Sequence, residues 1–263
     1  MKISIVIPMY NAAKSILQTI DSVYGQTWCG DIEIIIVNDG SSDASKAIVE
    51  TYINNKGRKN IILLDQKNSG VSRARNEGIR QSTGEWICLL DSDDVWEPTK
   101  LERQVQVLKE NPTIDFLGTT RNGERIDRIG FRTLGHLSQI SPRELLIKFV
   151  FVTPTIILRR EVIQRIGYFD ENQRHAEEGN YFIRIAKDCN TYLLNESLVI
   201  TGGGKHHFGE SGLSSNLWEM EKGELKNIKL ALKIGVINSV EYIFFNIFSL
   251  LKYCRRVLIV LSR

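Results

Sequence analysis

The chain has 263 residues, of which 42% are hydrophobic and 25% charged, an ordinary globular composition without an internal repeat or a low-complexity tract. This length predicts one α/β domain with an appendage, or two small domains. The net charge is +3, but from residue 222 onward eight basic side chains accompany only two acidic ones. No basic face with interleaved aromatic residues marks a nucleic-acid-binding module, so we expect no nucleic-acid partner.

The cysteines and the first segment indicate the compartment. Four cysteines lie far apart in the sequence without C-x-x-C spacing, which predicts reduced packing residues of a cytosolic protein. Residues 1–8 carry one charge and a very short apolar run before a proline. We therefore expect a first β-strand here and not a signal peptide.

Strand and helix signals alternate over the first hundred residues. Apolar runs predict strands at 3–7, 32–37, 61–64 and 86–90, and helical spacing between them predicts helices at 16–24, 44–52 and 72–80. This alternation predicts an α/β fold with right-handed crossovers and a mostly parallel, buried central sheet flanked by helices. Parallel strands would bring four strand ends to one rim, at residues 8–10, 39–40, 66–70 and 91–94.

The second half of the chain is less regular. A helix is predicted after Pro98, and residues 121–139 are polar and weakly periodic, which predicts a connection outside the core. Further elements are predicted as helices at 142–149 and 161–166 and as strands at 155–158, 191–194 and 198–200. The resulting organisation is a nucleotide-binding half at 1–110, an acceptor half at 111–215 and a helical tail at 216–263.

The acidic run Asp91-Ser92-Asp93-Asp94 directly follows the apolar run 86–90. Two carboxylates at a strand end repel each other unless a hard cation lies between them, so the run indicates a cation site. A turn followed by a helix cap is the alternative, because Asp and Ser favour both. No G-x-G-x-x-G turn and no P-loop are present, which argues against a dehydrogenase and against a nucleotide held by a P-loop. The Asp-Gly dipeptide alone fits two interpretations of Asp39 equally well: an acceptor for a base N–H, or a turn residue before Gly40.

Four motifs together carry a resemblance to a known family. They are ISIVIPMYN at 3–11, VNDGSSD at 37–43, NSGVSRARN at 68–76 and LDSDD at 90–94. In order and spacing they resemble the family 2 glycosyltransferases over about the first 110 residues. The likeness continues more loosely to about residue 210 through GYFDE at 167–171 and the pair Glu177-Glu178. The resemblance implies a GT-A fold, a nucleotide-sugar donor, inversion at the anomeric carbon and a divalent cation, Mn²⁺ or Mg²⁺.

The resemblance also implies roles for individual residues. Pro8, Tyr10 and Asp39 would hold the base, usually uracil, and Arg75 would lie near the nucleotide. Asp93 would ligate the metal, and Asp91 would reach the ribose or the metal. The further substrate-binding candidates on the same motifs are Asn11, Asn68, Gly70 and Ser92.

Inversion requires a base that takes the proton of the acceptor hydroxyl. The family usually has an aspartate in a Glu-Asp pair before a helix, and this chain has Glu177-Glu178 instead. We assign the base to Glu178, with Glu177 in reserve and Asp94 as the weaker candidate near the sugar or acceptor. The alternative is that both glutamates merely favour a helix N-terminus.

Two segments near the C-terminus carry further predictions. The stretch 202–211 begins with three glycines followed by a basic run, which predicts a loop that closes over phosphates through a basic residue or with His207 as an added metal ligand, or else an exposed polar loop. Residues 238–263 combine aromatic and basic side chains in runs too short to span a bilayer, which predicts an interfacial helix on an anionic leaflet. The alternative is a helix packed on the domain or on another subunit, as in a homodimer.

Together these features predict a cytoplasmic enzyme, peripheral on the inner face of the cell membrane. It would transfer one sugar from a UDP-hexose, such as UDP-glucose or UDP-galactose, to a polyprenyl diphosphate-linked glycan in bacterial polysaccharide biosynthesis. The alternatives are a transferase with a soluble or protein acceptor and a non-catalytic module that binds a nucleotide sugar.

Overall fold

The computed structural model describes residues 1–202 and 215–262. The first 110 residues alternate between strands and helices: β1 Lys2–Met9, α1 Ile16–Tyr24, β2 Asp31–Asp39, α2 Ser45–Lys56, β3 Ile61–Gln66, α3 Val71–Gln81, β4 Trp86–Leu89, β5 Val95–Trp96 and α4 Lys100–Glu110. The predicted alternation of this half is confirmed.

The second half adds mostly short strands, two short helices and the two longest helices of the described chain. Its elements are β6 Phe116–Thr120, β7 Arg128–Ile129, β8 Arg132–Thr133, β9 Leu137–Gln139, α5 Pro142–Ile147, a 3₁₀ turn at Thr153–Thr155, β10 Ile157–Arg159, α6 Arg160–Ile166, α7 Glu177–Asp188, β11 Thr191–Ser197, β12 Val199–Ile200, α8 Leu217–Lys233 and α9 Ser239–Leu261.

Within the described residues, eight strands form one sheet in the order β3-β2-β1-β4-β10-β6-β11-β9. The pairs β2–β3, β1–β2, β1–β4 and β6–β11 are parallel. β10 runs antiparallel to both its neighbours, and β9 runs antiparallel to β11. The sheet is therefore mostly parallel, as predicted, with antiparallel strands in its second half.

Both faces of the sheet are covered. Ile3, Ile5 and Ile7 of β1 pack into one hydrophobic cluster with residues of α1 and α4. Val6, which points the other way, belongs to a second cluster that includes Phe116 and residues of α7 and α8. A strand buried on both faces gives a nearly continuous apolar sequence, which explains the readable runs of the first half.

The prediction for residues 121–139 is wrong. β9 forms an edge of the large sheet, and Ile126, Ile129 and Leu134 are buried in the second cluster. The strands here are two or three residues long, and such strands are too short to display an alternating pattern.

The last two helices pack on the domain. Asn227 of α8 donates a hydrogen bond to the backbone oxygen of Ala176 at 2.8 Å, just before α7. Arg256 of α9 contacts the buried Glu221 of α8 at 2.6 Å and is also paired with Glu224. The α8–α9 pair is thus joined to the rest of the fold by polar as well as apolar contacts.

Candidate active site

A cavity of about 1090 Å³ opens at the carboxyl ends of β1, β2 and β4. Open α/β sheets bind ligands at this edge. The cavity brings together most of the residues that the sequence predicts for the site: Pro8, Tyr10, Asp39, Asn68, Gly70, Arg75, Asp91, Ser92, Asp93, Asp94, Glu177 and Glu178.

Two further site residues were predicted, of which Asn11 is described by the structure and is not in this lining. Asn11 has a left-handed backbone with φ of 49°, and its side-chain oxygen accepts hydrogen bonds from Ser42 while its N–H donates to Ser41. In this geometry Asn11 organises the loop after β2. His207, together with the predicted phosphate loop, lies outside the described residues.

Asp39, at the end of β2, is almost fully buried and holds the next rim loop in place. Its carboxylate accepts hydrogen bonds from Gln66 at 2.7 Å, from the backbone N–H of Ser69 at 2.8 Å and from that of Gly70 at 2.9 Å. Gly70 has φ of 92°, a conformation that favours glycine. A carboxylate offers about four acceptor positions, so about one remains on Asp39 for a ligand.

Arg75 on α3 is the centre of the site's electrostatics. Only 3% of its side chain is exposed, and its guanidinium contacts Asp91 at 2.8 Å, Glu177 at 2.9 Å and Glu178 at 3.7 Å. Burial alone would lower the pKa of Arg75, but the charges of the three carboxylates outweigh it and raise that pKa. One buried cation therefore links the acidic strand end to the glutamate pair.

The two glutamates lie in the first turn of α7, where the helix dipole favours negative charge. Burial raises the pKa of Glu178 to about 7; the charge of Arg75 opposes this shift, and those of Glu177 and Asp91 add to it. The hydroxyl of Thr153 donates a hydrogen bond to Glu178. Glu178, with 21% of its side chain exposed, is the more accessible of the two carboxylates.

Asp94 differs from the other acids of its run because it is buried. Its carboxylate accepts a hydrogen bond from the backbone N–H of Gly202 at 2.9 Å. Burial, followed by the charges of Asp91 and Asp93, raises the pKa of Asp94 to about 8. Asp94 is therefore largely protonated at neutral pH and does not add a full charge to the cluster.

Asp91 and Asp93 have the chemistry of a metal-binding pair. In the part of the chain that the structure describes, no group of three or more His, Cys, Asp or Glu residues clusters as a metal site. Mg²⁺ and similar ions often bind through only one or two carboxylates and complete their coordination with water and substrate phosphates. Two carboxylates on the rim of a cavity of this size fit such an ion.

Comparison with known proteins assigns the chain to a family. The family model described as glycosyl transferase family 2 matches residues 4–167, more than half of the chain. The chain belongs to glycosyl transferase family 2. This membership agrees with the four motifs at the rim, which lie inside the matched range apart from Ile3, whereas Glu177 and Glu178 lie beyond it.

Curated relatives of this family member come from several bacteria. Over 237 residues it is 30% identical to the amylovoran biosynthesis glycosyltransferase AmsB of Erwinia amylovora, covering 82% of this chain and 75% of that protein. It is 36% identical over 181 residues to an uncharacterized glycosyltransferase of Nostoc, covering 65% of this chain and 54% of that protein. The chain thus spans only about half the length of the Nostoc relative.

Solved structures support the fold. A structure of S. aureus TarS in complex with UDP-GlcNAc superposes with a TM-score of 0.72 at 20% identity, covering 95% of this chain and 72% of that one. The mannosyltransferase PcManGT from Pyrobaculum calidifontis, in complex with GDP-Man and Mn²⁺, gives a TM-score of 0.67 at 16% identity, covering 88% and 64%. The predicted GT-A fold is confirmed.

Some contacts of the site could not be read from the sequence. The sequence placed Arg75 near the nucleotide but did not indicate its pairing with Glu177, which is 102 positions away. Thr153 carried no recognisable motif, and its contact with Glu178 depends on how the segment before β10 folds against α7. A polar residue next to a proline was the only signal available there.

Proposed function

We propose that this family member is a metal-dependent, inverting hexosyltransferase. The donor would be a UDP-hexose, such as UDP-glucose or UDP-galactose, and the acceptor a hydroxyl of a polyprenyl diphosphate-linked glycan in polysaccharide biosynthesis. The observation that carries this proposal is the linkage of Asp91 to Glu178 through Arg75 inside one cavity. A donor-binding pair and a base must face the same reacting carbon, and the candidates for both roles line this cavity.

The donor would occupy the rim formed by the strand ends. Pro8, Tyr10 and Asp39 would contact the base, and Asp91 and Asp93 would hold Mn²⁺ or Mg²⁺ against the diphosphate. When bound, such a cation neutralises the charge that develops on the departing diphosphate. Both TarS, in complex with UDP-GlcNAc, and PcManGT, in complex with GDP-Man and Mn²⁺, are similar to this chain in fold.

Glu178 would act as the base. A carboxylate whose pKa is raised to about 7 accepts a proton more readily than an ordinary glutamate and is still ionised in half or more of the molecules at pH 7 and above. As the acceptor oxygen bonds to the anomeric carbon, Glu178 takes its proton and UDP departs from the opposite face. Thr153 and Arg75 would hold the longer glutamate side chain in the position that an aspartate usually fills.

Asp94 is the weaker candidate for the base, because burial and the charges of Asp91 and Asp93 raise its pKa and favour its neutral form. A neutral carboxyl can instead donate a hydrogen bond. We therefore propose that Asp94 contacts a sugar hydroxyl and that Glu177 orients Arg75.

The outer face of α9 supports a membrane location. Val240, Ile243, Phe244, Leu251 and Leu258 on this helix are each at least 59% exposed. The 23-residue helix is about 34 Å long, and in the described parts of the chain no helix is long and apolar enough to cross a membrane. An apolar face of this kind suits a helix lying in the plane of a lipid surface.

The positive charge near α9 comes mainly from the neighbouring helix α8. Lys252 and Arg256 of α9 are turned toward Glu224 of α8, so they contribute little net charge to a surface. The four lysines of α8 follow one exposed stripe with i, i+4, i+7 and i+11 spacing, and Arg255 of α9 is also exposed. They are Lys222, which is itself paired with Glu219 at 2.6 Å, and Lys226, Lys229 and Lys233. These cations would attract an anionic leaflet.

The catalytic part of the proposal is tested by release of UDP from a panel of UDP-sugars, with Mn²⁺, with Mg²⁺ and with EDTA. We expect release only with a divalent cation and its loss in Glu178→Gln. Metal-independent turnover would contradict the proposal. Failure of the native chain to turn over any donor, with binding retained, would favour a non-catalytic module.

The membrane part is tested by flotation with anionic and with neutral liposomes. Leu251→Lys should reduce binding to anionic liposomes, while Phe131→Lys, at a fully exposed position of the β7–β8 turn, should not. Sedimentation of both variants tests the alternative, in which the α9 face binds another copy of the chain. If the native chain does not bind liposomes and Leu251→Lys converts a dimer to a monomer, the α9 face is an interface between copies.

A further inference from the structure

The cavity extends well beyond the donor rim. Its volume of about 1090 Å³ lies at the upper end of the roughly 300–1,000 Å³ that is usual for small-ligand sites. Its other walls, called here the far half, include residues 147–149 and Val152, Met220 and Asn227 of α8, and Lys252 of α9. The helices of the predicted tail therefore form one wall of the same cavity.

Phe149 is the exposed aromatic residue of this far half. Its side chain is 41% exposed although it lies in the cavity lining. Its ring stacks nearly parallel to that of Phe182, at 6.0 Å between centroids and 10° between planes. Phe182 is buried and contacts Phe116 and Phe151 edge to face. The ring of Phe149 is thus supported by a rigid aromatic cluster, and part of its surface remains open.

Phe149 also lies beside the first turn of α7, and it lines the same cavity as Glu178. A methyl group added at Gly179, the residue after Glu178, would lie 3.8 Å from Cε2 of Phe149. Four residues after Phe149, Thr153 donates its hydroxyl hydrogen to Glu178. One short segment therefore carries both an exposed aromatic ring and the hydrogen-bond partner of the base.

We propose that Phe149 is the platform on which the acceptor sugar stacks. A pyranose ring has a face of C–H groups that packs on an aromatic ring and an edge of hydroxyls that point sideways. Stacking on Phe149 would leave a hydroxyl beside Glu178, while the remainder of the acceptor follows the far half of the cavity toward Met220 and Lys252. This inference rests on the proposed function and adds to it the residue that selects the acceptor.

The transfer step balances with the groups already named. The acceptor O–H bond breaks, and its oxygen forms the new bond to the anomeric carbon. The bond from that carbon to the diphosphate oxygen breaks, and UDP leaves with the electron pair. Glu178 receives the proton, so Phe149 has no chemical part in the step and acts only by positioning the sugar.

The test uses the full-length chain with octyl glycosides of glucose, galactose and N-acetylglucosamine as acceptor probes. Four variants separate the shape of the side chain from its apolarity: Phe149→Ala, Phe149→Leu, Phe149→Tyr and Phe149→Trp. Phe131→Ala, in an exposed turn outside the cavity lining, is the matched control. Glycoside KM, glycoside binding by titration calorimetry and UDP affinity with Mn²⁺ are measured for each.

We expect Phe149→Ala and Phe149→Leu to raise the glycoside KM by about tenfold or more, because the stacking contact is lost and the acceptor hydroxyl is misplaced. Phe149→Tyr and Phe149→Trp should stay within about threefold, and UDP affinity should not change. A glycoside KM for Phe149→Leu as low as that for Phe149→Trp would contradict the role of Phe149 as a stacking platform. So would a native chain that binds none of the glycosides while still binding UDP, whereas loss of UDP binding by the native chain would overturn the proposed function itself.

Discussion

Replacing Arg75 by methionine removes the single cation that three carboxylates share. The guanidinium is 3% exposed and lies 2.8 Å from Asp91, 2.9 Å from Glu177 and 3.7 Å from Glu178. Removal of one partner from a buried ion pair costs about 3–5 kcal/mol, because the remaining charges stay buried without compensation. For a chain of this size such a loss lowers Tm by roughly 6–20 °C.

The effect should depend on pH. Burial raises the pKa of Glu178 to about 7, above its unfolded value, and loss of Arg75 raises it further. A carboxyl with a raised pKa binds more protons in the folded state, so stability falls as pH rises from the unfolded to the folded pKa. Arg75→Met should therefore be more damaging at pH 8 than at pH 5.5. Urea unfolding at both pH values measures the difference.

A matched control is available on the surface. Arg125 pairs with Asp127 at 2.8 Å, but their side chains are 77% and 66% exposed. Arg125→Met should cost less than about 1 kcal/mol at either pH. The reasoning about Arg75 is refuted if Arg75→Met unfolds within about 1 kcal/mol of the native chain at pH 8, or if its defect grows on acidification.

Other predictions concern activity. Glu178→Gln should lower kcat by about 10²–10⁴ with UDP affinity unchanged, and a loss below tenfold would contradict the assignment. In the native chain kcat/KM should rise about tenfold per pH unit up to about pH 7 and then level off, and a flat profile from pH 5.5 to 8 would be inconsistent with a base of that pKa. Asp93→Ala should bind UDP equally with Mn²⁺ and with EDTA, as measured by calorimetry; retained metal dependence would exclude Asp93 as a ligand. Gly223→Ala should lower kcat and Tm together, because its Cβ would lie 2.3 Å from the backbone oxygen of His175, just before α7. Unchanged kcat would show that the segment before α7 shifts to accommodate the added methyl group.

Much of the first half could be predicted because its signals are local. Strands buried on both faces read as apolar runs, and parallel pairing then requires their carboxyl ends to share one edge. The rim residues Tyr10, Asp39 and Asp91 were predicted on that basis and do line one cavity. Residues 121–139 escaped prediction because strands of two or three residues contain no readable period.

The sequence by itself determined where the carboxylates stand along the chain and which family's motifs they belong to. Only the tertiary structure decided what surrounds each carboxylate. Asp94 and Glu178 have raised pKa values because burial removes water from them, and burial depends on elements distant in sequence. Arg75 reaches Glu177 across 102 positions, and Phe149 comes beside α7 only after the sheet is covered. Residue type is local information, whereas desolvation and charge pairing arise from contacts that exist only in the folded chain.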